Sequence, residues 1–266
     1  MINELPPRLR SKNMLLVGLW AYNTEPNMNI FLKPFVEQAN RLSTDGLTWQ
    51  LDEHTQITSR AFPTICCTDS VAQCAVLNMK QFNGYYGCTF CEHPTEAVDG
   101  RRKYVISESV PEHRSDESIR IAMVEAHNRN NGKDVKGVRG PSVLMNLFYF
   151  NLIDGMIPDY MHSVLLGSFR QHTELLLSSP NEDFYIGRPD ILSLIDERLI
   201  NIQTPKWITR APRSLTVRRL WKGSEWRSWT VLFIAMPKRN TTTQILKTFC
   251  IISNRHKYIF AKYDHS

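Results

Sequence analysis

The sequence has few cysteines and no long hydrophobic run, and each shortage excludes a class of protein. Six cysteines in 266 residues are too few for a small secreted fold held together by disulfides. The first ten residues are polar and contain two prolines, unlike a signal peptide. Apolar stretches such as 13–22 stop well short of the roughly 20 residues that a membrane-spanning helix needs. We therefore expect a protein of a reducing compartment, neither secreted nor embedded in a membrane, whose thiols are free or bound to metal.

The chain carries a surplus of positive charge. Its 32 Lys and Arg residues against 26 Asp and Glu residues leave a formal net charge of +6, and 42% of its residues are hydrophobic. This composition fits a globular chain long enough for one large domain or two small ones. Surplus Lys and Arg favour an anionic partner such as DNA, although charge alone does not separate DNA-binding proteins from other basic proteins.

The hydrophobic pattern predicts a chain of strands and helices. An unbroken apolar run over 14–22 predicts a strand covered on both faces, and apolar residues at helical spacing over 29–42 predict the next helix. The alternation of Leu47, Trp49 and Leu51 with polar residues predicts a half-buried strand. Further helices are predicted over 115–129, from the turn 154–162 to 177, over 191–200 and over 221–235, the last one buried and carrying Glu225 and Arg227 inward.

Two acids, Asp69 and Glu225, are of the residue type that binds Mg²⁺. Asp69 follows the short apolar strand 65–67 and precedes a predicted helix, and Glu225 lies in the aromatic segment 221–229. Carboxylates at such positions can hold the paired metal ions of phosphoryl transfer. The alternative is that Asp69 caps a helix and Glu225 pairs with Arg227 or a neighbouring arginine. When each residue is considered by itself, its sequence context favours this structural role over metal binding.

A pair of cysteines, Cys88 and Cys91, follows the turn 84–87. Two thiolates at this spacing can bind one Zn²⁺ ion, but a complete site needs two further ligands. The pair Asp159 and His162 is the best source of them; two other candidates are His93 and His172. Free cysteines are the alternative, and zinc is slightly favoured over them. A thioredoxin-type redox role is disfavoured because the pair opens no evident helix.

Clusters of basic residues could contact DNA phosphates, or could form solvated faces. They lie at 101–103, 133–139, 210–219 and 238–239. The loop 133–141 needs anionic or solvent partners for its charges. Trp207 and Trp221 are predicted to be core residues rather than base-stacking platforms.

The order of motifs is more specific than any single one. The segments LPPRLR, LLVGLWAYNTEPNMNIFLKPFV, CCTDSVAQ, GYYGCTFCEHP, KGVRGPS, DGMIPDYMHSVLLG and RRLWKGSEWRSW follow one another along the chain. In this order they resemble the catalytic region of CACTA (En/Spm-type) cut-and-paste DNA transposases, over roughly residues 3–237.

This resemblance implies an α/β fold with an incomplete RNase H-like core, a mixed sheet flanked by helices. A helical insertion that contains a zinc knuckle would separate the second and third acids of a D-D-E triad. Asp69 resembles the second acid and Glu225 the third, both as ligands of Mg²⁺ or Mn²⁺. Cys88 and Cys91 resemble the CxxC element, and Asp159 and His162 the DxxH element, of a Zn²⁺ site. The implied reaction is metal-dependent strand cleavage and transfer.

The resemblance also implies a domain order and a partner. A partial core at 1–83, the insertion at 84–215, a core helix at 216–237 and a divergent basic tail at 238–266 are expected. The expected partner is DNA at transposon ends, and self-association is left open. The expected location is the nucleus or else the cytoplasm. Neither a membrane nor a small-molecule substrate is expected.

The family's first acid lies upstream of the segment that LPPRLR resembles. Asp45 and Asp52 follow the second strand and are not natural substitutes for it, so we expect an incomplete triad and little or no catalysis. Loss of the first strand would also expose apolar edges and make the chain poorly soluble. The alternatives are a domesticated module that binds DNA or protein without cutting, and a non-functional product.

Overall fold

The computed structural model describes residues 6–10, 12–98, 100–105, 109–129, 132–204, 208, 210 and 213–235. The chain divides into two compact units, Met1–Ile157 (unit 1) and Pro158–Ser266 (unit 2). Their boundary falls inside 84–215, the segment that was expected to form one insertion. The expected basic tail, 238–266, lies outside the described residues.

Unit 1 is built from short helices and short strands. Its helices are α1 (Pro7–Arg10), α2 (Met28–Phe31), α3 (Lys33–Thr44), α4 (Ser70–Val76) and α5 (Asp116–Asn128), with a 3₁₀ helix at Val143–Asn146. Its strands are β1 (Leu47–Gln50), β2 (Gln56–Ser59), β3 (Cys66–Thr68), β4 (Glu96–Val98), β5 (Arg101–Lys103) and β6 (Met156–Pro158), which crosses the unit boundary.

The strands in the described part of the chain pair only two by two. β1 pairs with β2 and β4 with β5, both antiparallel, and β3 pairs with β6. The coarse prediction of a mixed α/β chain is therefore confirmed. A larger mixed sheet flanked by helices is not formed by these residues, and an RNase H-like core stays a proposal.

Helix α5, predicted as a surface helix, packs one face into the unit 1 core and exposes the other. Ser115 caps it: the Ser115 hydroxyl accepts from the Ser118 N–H at 3.0 Å, and the Ser118 hydroxyl accepts from the Ser115 N–H at 2.9 Å. Ile119 and Met123, one turn apart, are fully buried. The predicted helix 115–129 is confirmed because its cap and its apolar spacing are both local features.

The basic loop 133–141 is packed into unit 1, and at least one of its cations is paired there. Val138 is fully buried, and the Lys80 N–H donates to the Gly137 carbonyl at 2.8 Å. Gly137 has a φ of +86°, and a Cβ there would lie 2.0 Å from the Tyr86 carbonyl oxygen, so only glycine fits. Lys136 pairs with Glu92. The anionic partner expected for this loop is thus supplied partly by the protein itself.

The apolar run 14–22 is not a strand, which corrects the sequence prediction. Leu15, Leu16 and Leu19 are 77%, 82% and 78% exposed, and the run has no regular structure. An apolar run becomes a strand only when another strand pairs with it, and none in the described part of the chain does so.

Two further predictions needed correction in detail. The helix 29–42 is interrupted at Leu32, because Pro34 lies in the first turn of α3 and lacks the N–H that a continuous helix would use. β1 forms as predicted, but Leu47 and Trp49 are 60% and 42% exposed, so the strand is not half-buried.

The described part of unit 2 is mostly helical. It contains a π-helix (Met161–Phe169) that continues into α6 (Arg170–Ser178), then α7 (Pro189–Asn201), a 3₁₀ helix (Leu215–Leu220) and α8 (Gly223–Ala235). The predicted helices ending at 177 and spanning 191–200 are confirmed. Across both units, none of the helices that the structure describes combines the length and the apolar character needed to cross a membrane.

Three tryptophans form the aromatic centre of unit 2. The Trp221 ring lies 5.1 Å from that of Trp226 and 5.9 Å from that of Trp229. All three side chains are buried, so the prediction of a core role for Trp221 is confirmed, whereas Trp207 lies outside the described residues. Arg227 is exposed, which corrects its predicted inward position: the helical period that turns 226 and 229 inward turns 227 outward.

Candidate functional site

Asp69 is the N-cap of α4. It leaves β3 with an extended backbone, and its Oδ1 accepts from the Ala72 N–H at 2.8 Å. A cap of this type stabilises a helix by about 1 kcal/mol. The predicted strand-end acid that opens a helix is confirmed, and the structural alternative weighed for Asp69 describes the role it has in this fold.

The cysteine pair lies beside the same helix. Gln73, one turn after Asp69, donates from Nε2 to the Thr89 hydroxyl between the two cysteines at 3.0 Å, and both of these side chains are buried. The Phe90 N–H donates to the Cys88 sulfur at 3.4 Å, and each of the two thiols is the main influence on the pKa of the other. The structure therefore brings Asp69 and the two thiols into neighbouring positions of unit 1.

Arg114 is the cation next to these thiols, and no sequence pattern singled it out. Its side chain is only 1% exposed. Nε donates to the Cys88 carbonyl at 3.2 Å, Nη2 donates to the Lys136 carbonyl at 2.7 Å, and Nη1 lies 3.7 Å from a Glu92 carboxylate oxygen. These contacts fix a buried positive charge against the CxxC loop.

The pKa values of the two thiols are shifted in opposite directions. The hydrogen bond from the Cys91 thiol, helped by the Phe90 N–H and by Arg114, lowers the pKa of Cys88 although burial opposes this. The same hydrogen bond, together with burial, raises the pKa of Cys91. Burial and the neighbouring thiols raise the pKa of Tyr104 as well. These shifts favour Cys88 as the sulfur of the pair that gives up its proton first.

The cysteine pair supplies two donors of a zinc site. In the described ranges, no group of three or more His, Cys, Asp and Glu side chains is placed to hold a metal ion. His93 packs its ring on Tyr104, with 5.5 Å between ring centroids. Two adjacent sulfurs fit half of a tetrahedral Zn²⁺ site, and zinc binding stays a proposal.

Asp159 and His162 form a dyad at the start of the π-helix in unit 2. Asp159 Oδ2 is hydrogen-bonded to His162 Nδ1, and its Oδ1 accepts from the Met161 N–H at 3.1 Å. The hydrogen bond to His162 is the main reason that the pKa of Asp159 is lowered. Because Nδ1 faces the carboxylate, Nε2 is the nitrogen that His162 offers to a ligand, with Asp159 orienting the ring.

Glu225 lies in the first turn of α8 and is fully buried. Arg213 donates to both carboxylate oxygens, with Nη2 3.0 Å from Oε2, and Arg210 Nη1 lies 3.6 Å from the same oxygen. The Lys222 N–H donates to Oε2 at 2.8 Å. Burial raises the pKa of Glu225, but the Arg213 bond and the Lys222 N–H outweigh it and the pKa is lowered. A neighbouring arginine was expected as the partner; it is Arg213 rather than Arg227.

The basic clusters differ in how much of their charge is used internally. β5, at 101–103, is exposed along its whole length, and the Arg102 guanidinium lies 5.4 Å from the centroid of the half-exposed Tyr85 ring. In unit 2, Arg218 makes two hydrogen bonds to Glu174, each 3.0 Å long. The cluster 238–239 lies outside the described residues.

The predicted site residues thus lie in two groups. Asp69, Cys88 and Cys91 belong to unit 1, whereas Asp159, His162 and Glu225 belong to unit 2. Comparisons with protein-family models, with curated proteins and with solved structures found no match for this chain.

Proposed function

We propose that this chain is a DNA-binding relative of the CACTA transposase catalytic region that does not itself cut DNA. The observation that carries the proposal is the state of Glu225, which the motif order aligns with the third acid. Its carboxylate is buried and engaged by Arg213, Arg210 and the Lys222 N–H. A Mg²⁺ ligand needs carboxylate lone pairs that face the ion.

The two acids do not fit a Mg²⁺ or Mn²⁺ pair as they stand. Glu225 would have to exchange two arginines for a metal ion, and Asp69 already uses Oδ1 as a helix cap. An exchange that leaves buried charge without its partner costs several kcal/mol. We therefore derive no metal-dependent step from these residues.

Binding to DNA is supported by the exposed basic strand β5. Arg101, Arg102 and Lys103 are consecutive and exposed, and Arg102 lies over Tyr85. Phosphate contacts by Lys and Arg release counterions, so the affinity falls as salt rises. The runner-up candidate, a module that binds protein without DNA, is favoured by the exposed apolar run 14–22.

The same proposal includes a Zn²⁺ ion held by Cys88 and Cys91. Both cysteines lie in one loop at the spacing of a zinc knuckle, and a Zn²⁺ ion would neutralise the thiolates that bind it. The resemblance, not the geometry, offers Asp159 and His162 as the further ligands. Zinc would here be structural, holding the turn 84–94 that carries Tyr85.

Two measurements on the purified full chain test the function. Supercoiled plasmid incubated with Mg²⁺ or Mn²⁺ should remain uncut, and nicking that Asp69→Ala abolishes would contradict the inactive assignment. Fluorescence anisotropy with duplex DNA should give an affinity that falls steeply with salt. A plot of the logarithm of the binding constant against the logarithm of the salt concentration has a slope that reports the number of phosphate contacts. The double variant Arg101→Ala/Lys103→Ala should reduce the magnitude of this slope by about two, roughly one per lost phosphate contact.

The matched control is Lys33→Ala, which removes an exposed cation on α3 and should leave the slope unchanged. Asp69→Asn and Glu225→Gln should also leave DNA binding intact. Equal losses in Lys33→Ala and in the β5 variant would contradict a role for β5. Absence of any DNA binding at low salt would contradict the function itself.

A further inference from the structure

We propose that four residues of unit 1, Phe82, Tyr85, Arg102 and Tyr104, form a stacking surface for the unpaired bases of single-stranded DNA. These four residues are called the aromatic surface below. This role rests on the proposed DNA-binding function and specifies the form of DNA that the site takes. Its support comes from the exposure of the rings, from the contacts that hold them together and from the cations of β5 beside them.

The three rings of the aromatic surface are open to solvent, although they come from two separate segments. Phe82 is 53% exposed, Tyr85 48% and Tyr104 42%. The Tyr104 hydroxyl donates to the Phe82 carbonyl at 3.2 Å, and the Arg102 guanidinium lies 5.4 Å from the centroid of the Tyr85 ring. Exposed aromatic rings that cluster with a cation are the pattern of a surface that binds a partner.

Thr95 fixes the turn that carries Phe82 and Tyr85. Its side chain is fully buried, its N–H donates to the Tyr85 carbonyl at 2.7 Å, and its hydroxyl donates to the Gly84 carbonyl at 3.0 Å. Its own carbonyl accepts from Arg102 Nη1 at 3.4 Å. One buried residue therefore connects the turn with β5. A surface that is fixed before binding loses little conformational entropy when a ligand arrives.

The cations of β5 divide into two sets. Arg102 and Tyr104 are two positions apart, the spacing that places side chains on one side of a strand, and Arg101 and Lys103 occupy the alternate positions. Only Arg102 of the three cations is therefore part of the aromatic surface. Contacts with bases and contacts with phosphates are thus assigned to different residues, and substitutions can separate them.

The charge beside the rings favours a nucleic acid over an uncharged partner. Three consecutive exposed cations, at 101–103, adjoin the aromatic surface. A single strand of DNA presents phosphates and the flat faces of its bases together. Bases stack on aromatic rings and on guanidinium planes, and Arg102 at Tyr85 offers both kinds of face.

Stacking on these rings requires bases that are not paired. In a duplex the faces of the bases are covered by the neighbouring base pairs, and only their edges are accessible in the grooves. A side-chain ring stacks on a base that is single-stranded or displaced from the helix. Arg101 and Lys103 can bind phosphates in either form. The aromatic surface is therefore the part of the site that distinguishes single-stranded from duplex DNA.

Fluorescence anisotropy on the purified full chain tests this role with two labelled single strands of about 12 nucleotides. One is an oligothymidine, and the other is an abasic strand with the same phosphates and no bases. This pair is used because a duplex differs from a single strand in charge density as well as in base pairing. We expect the wild type to bind the oligothymidine at least about fivefold more tightly than the abasic strand.

Substitutions of Tyr85 assign the difference to its ring. Tyr85→Ala should weaken binding of the oligothymidine about fivefold or more and leave binding of the abasic strand unchanged, whereas Tyr85→Phe should keep the wild-type affinities because the ring remains. Tyr22→Ala is the matched control, since it removes another exposed tyrosine of unit 1, and it should change neither affinity. Arg101→Ala/Lys103→Ala should weaken binding of both strands.

Two results would overturn the stacking role and leave the DNA-binding function standing. The first is equal affinity of the wild type for the oligothymidine and the abasic strand, a comparison that needs no variant. The second is an equal loss on both strands in Tyr85→Ala. Absence of binding to single-stranded and duplex DNA at low salt would instead contradict the DNA-binding function, and the stacking role with it.

Discussion

Arg213 and Glu225 form an ion pair in unit 2, in which the guanidinium donates to both oxygens of a fully buried carboxylate. The partners lie twelve positions apart in the sequence, and the segment between them contains Leu215, Trp221 and the start of α8. The Lys222 N–H donates to the same carboxylate, so Glu225 also acts as the cap of its own helix. The pair ties the helix start to the preceding segment.

The stability of the chain should therefore depend on the charge of Glu225. Its pKa is lowered from an ordinary value of 4.5. A carboxylate with a lowered folded-state pKa contributes stability that is complete above the unfolded-state value and is lost as the pH falls through the folded-state value. We expect the urea midpoint to fall below pH 4.5 more steeply in the wild type than in Glu225→Gln.

The matched control is Glu37→Gln, since Glu37 is an exposed acid on α3. This variant should follow the wild-type dependence on pH. Superimposable curves for the wild type and Glu225→Gln would contradict the stabilising role of the ion pair.

Local features of the fold were predictable from the sequence, and long-range ones were not. Asp69 and Ser115 are caps whose hydrogen bonds reach only three residues along the chain, so both helix starts were predicted. The prediction of a strand over 14–22 was wrong because strand formation depends on a partner elsewhere in the chain. Arg114 was missed for the same reason: its contacts with Cys88 and Lys136 span more than twenty residues.

Two isoleucines on helix α5, one buried and one exposed, allow the contribution of the unit 1 core to the free energy of unfolding to be measured. Ile119 is fully buried and Ile121 is 60% exposed on the same helix. Ile119→Ala should lower the free energy of unfolding by about 2–5 kcal/mol, because it removes buried methylenes and leaves a cavity. Ile121→Ala should change it by no more than about 0.5 kcal/mol. Equal losses in chemical denaturation would contradict the packing of α5.

The exposed leucines of 14–22 should limit the solubility of the chain. Leu16 and Leu19 are 82% and 78% exposed, and clustered exposed apolar residues promote association. The variant Leu16→Lys/Leu19→Lys should shift aggregation, followed by static light scattering, to at least several-fold higher protein concentration. Unfolding midpoints should stay unchanged, since neither side chain is packed. A marked loss of stability would indicate that the run is buried in solution.

Zinc binding should require Cys88 and Cys91 and should not require the exposed Cys67. Purified chain should contain about one Zn²⁺ per molecule by elemental analysis, and Cys88→Ser should remove it because one of its thiolate ligands is lost. Cys67→Ser, which changes an exposed cysteine on β3, is the control and should retain the metal. Full zinc content in Cys88→Ser would contradict the proposed ligands.

Cys88 and Cys91 should differ in reactivity in the metal-free chain. A lowered pKa places the Cys88 thiolate at a pH where an ordinary thiol is still protonated, whereas Cys91 has a raised pKa. Iodoacetamide should therefore label Cys88 first, with a rate that rises with pH and levels off below the ordinary thiol pKa of 9.0. Arg114→Gln should move this rise to higher pH, because the buried guanidinium no longer stabilises the thiolate, while Arg120→Gln on α5 should not. Labelling of Cys91 ahead of Cys88 in the wild type would contradict the lower pKa assigned to Cys88.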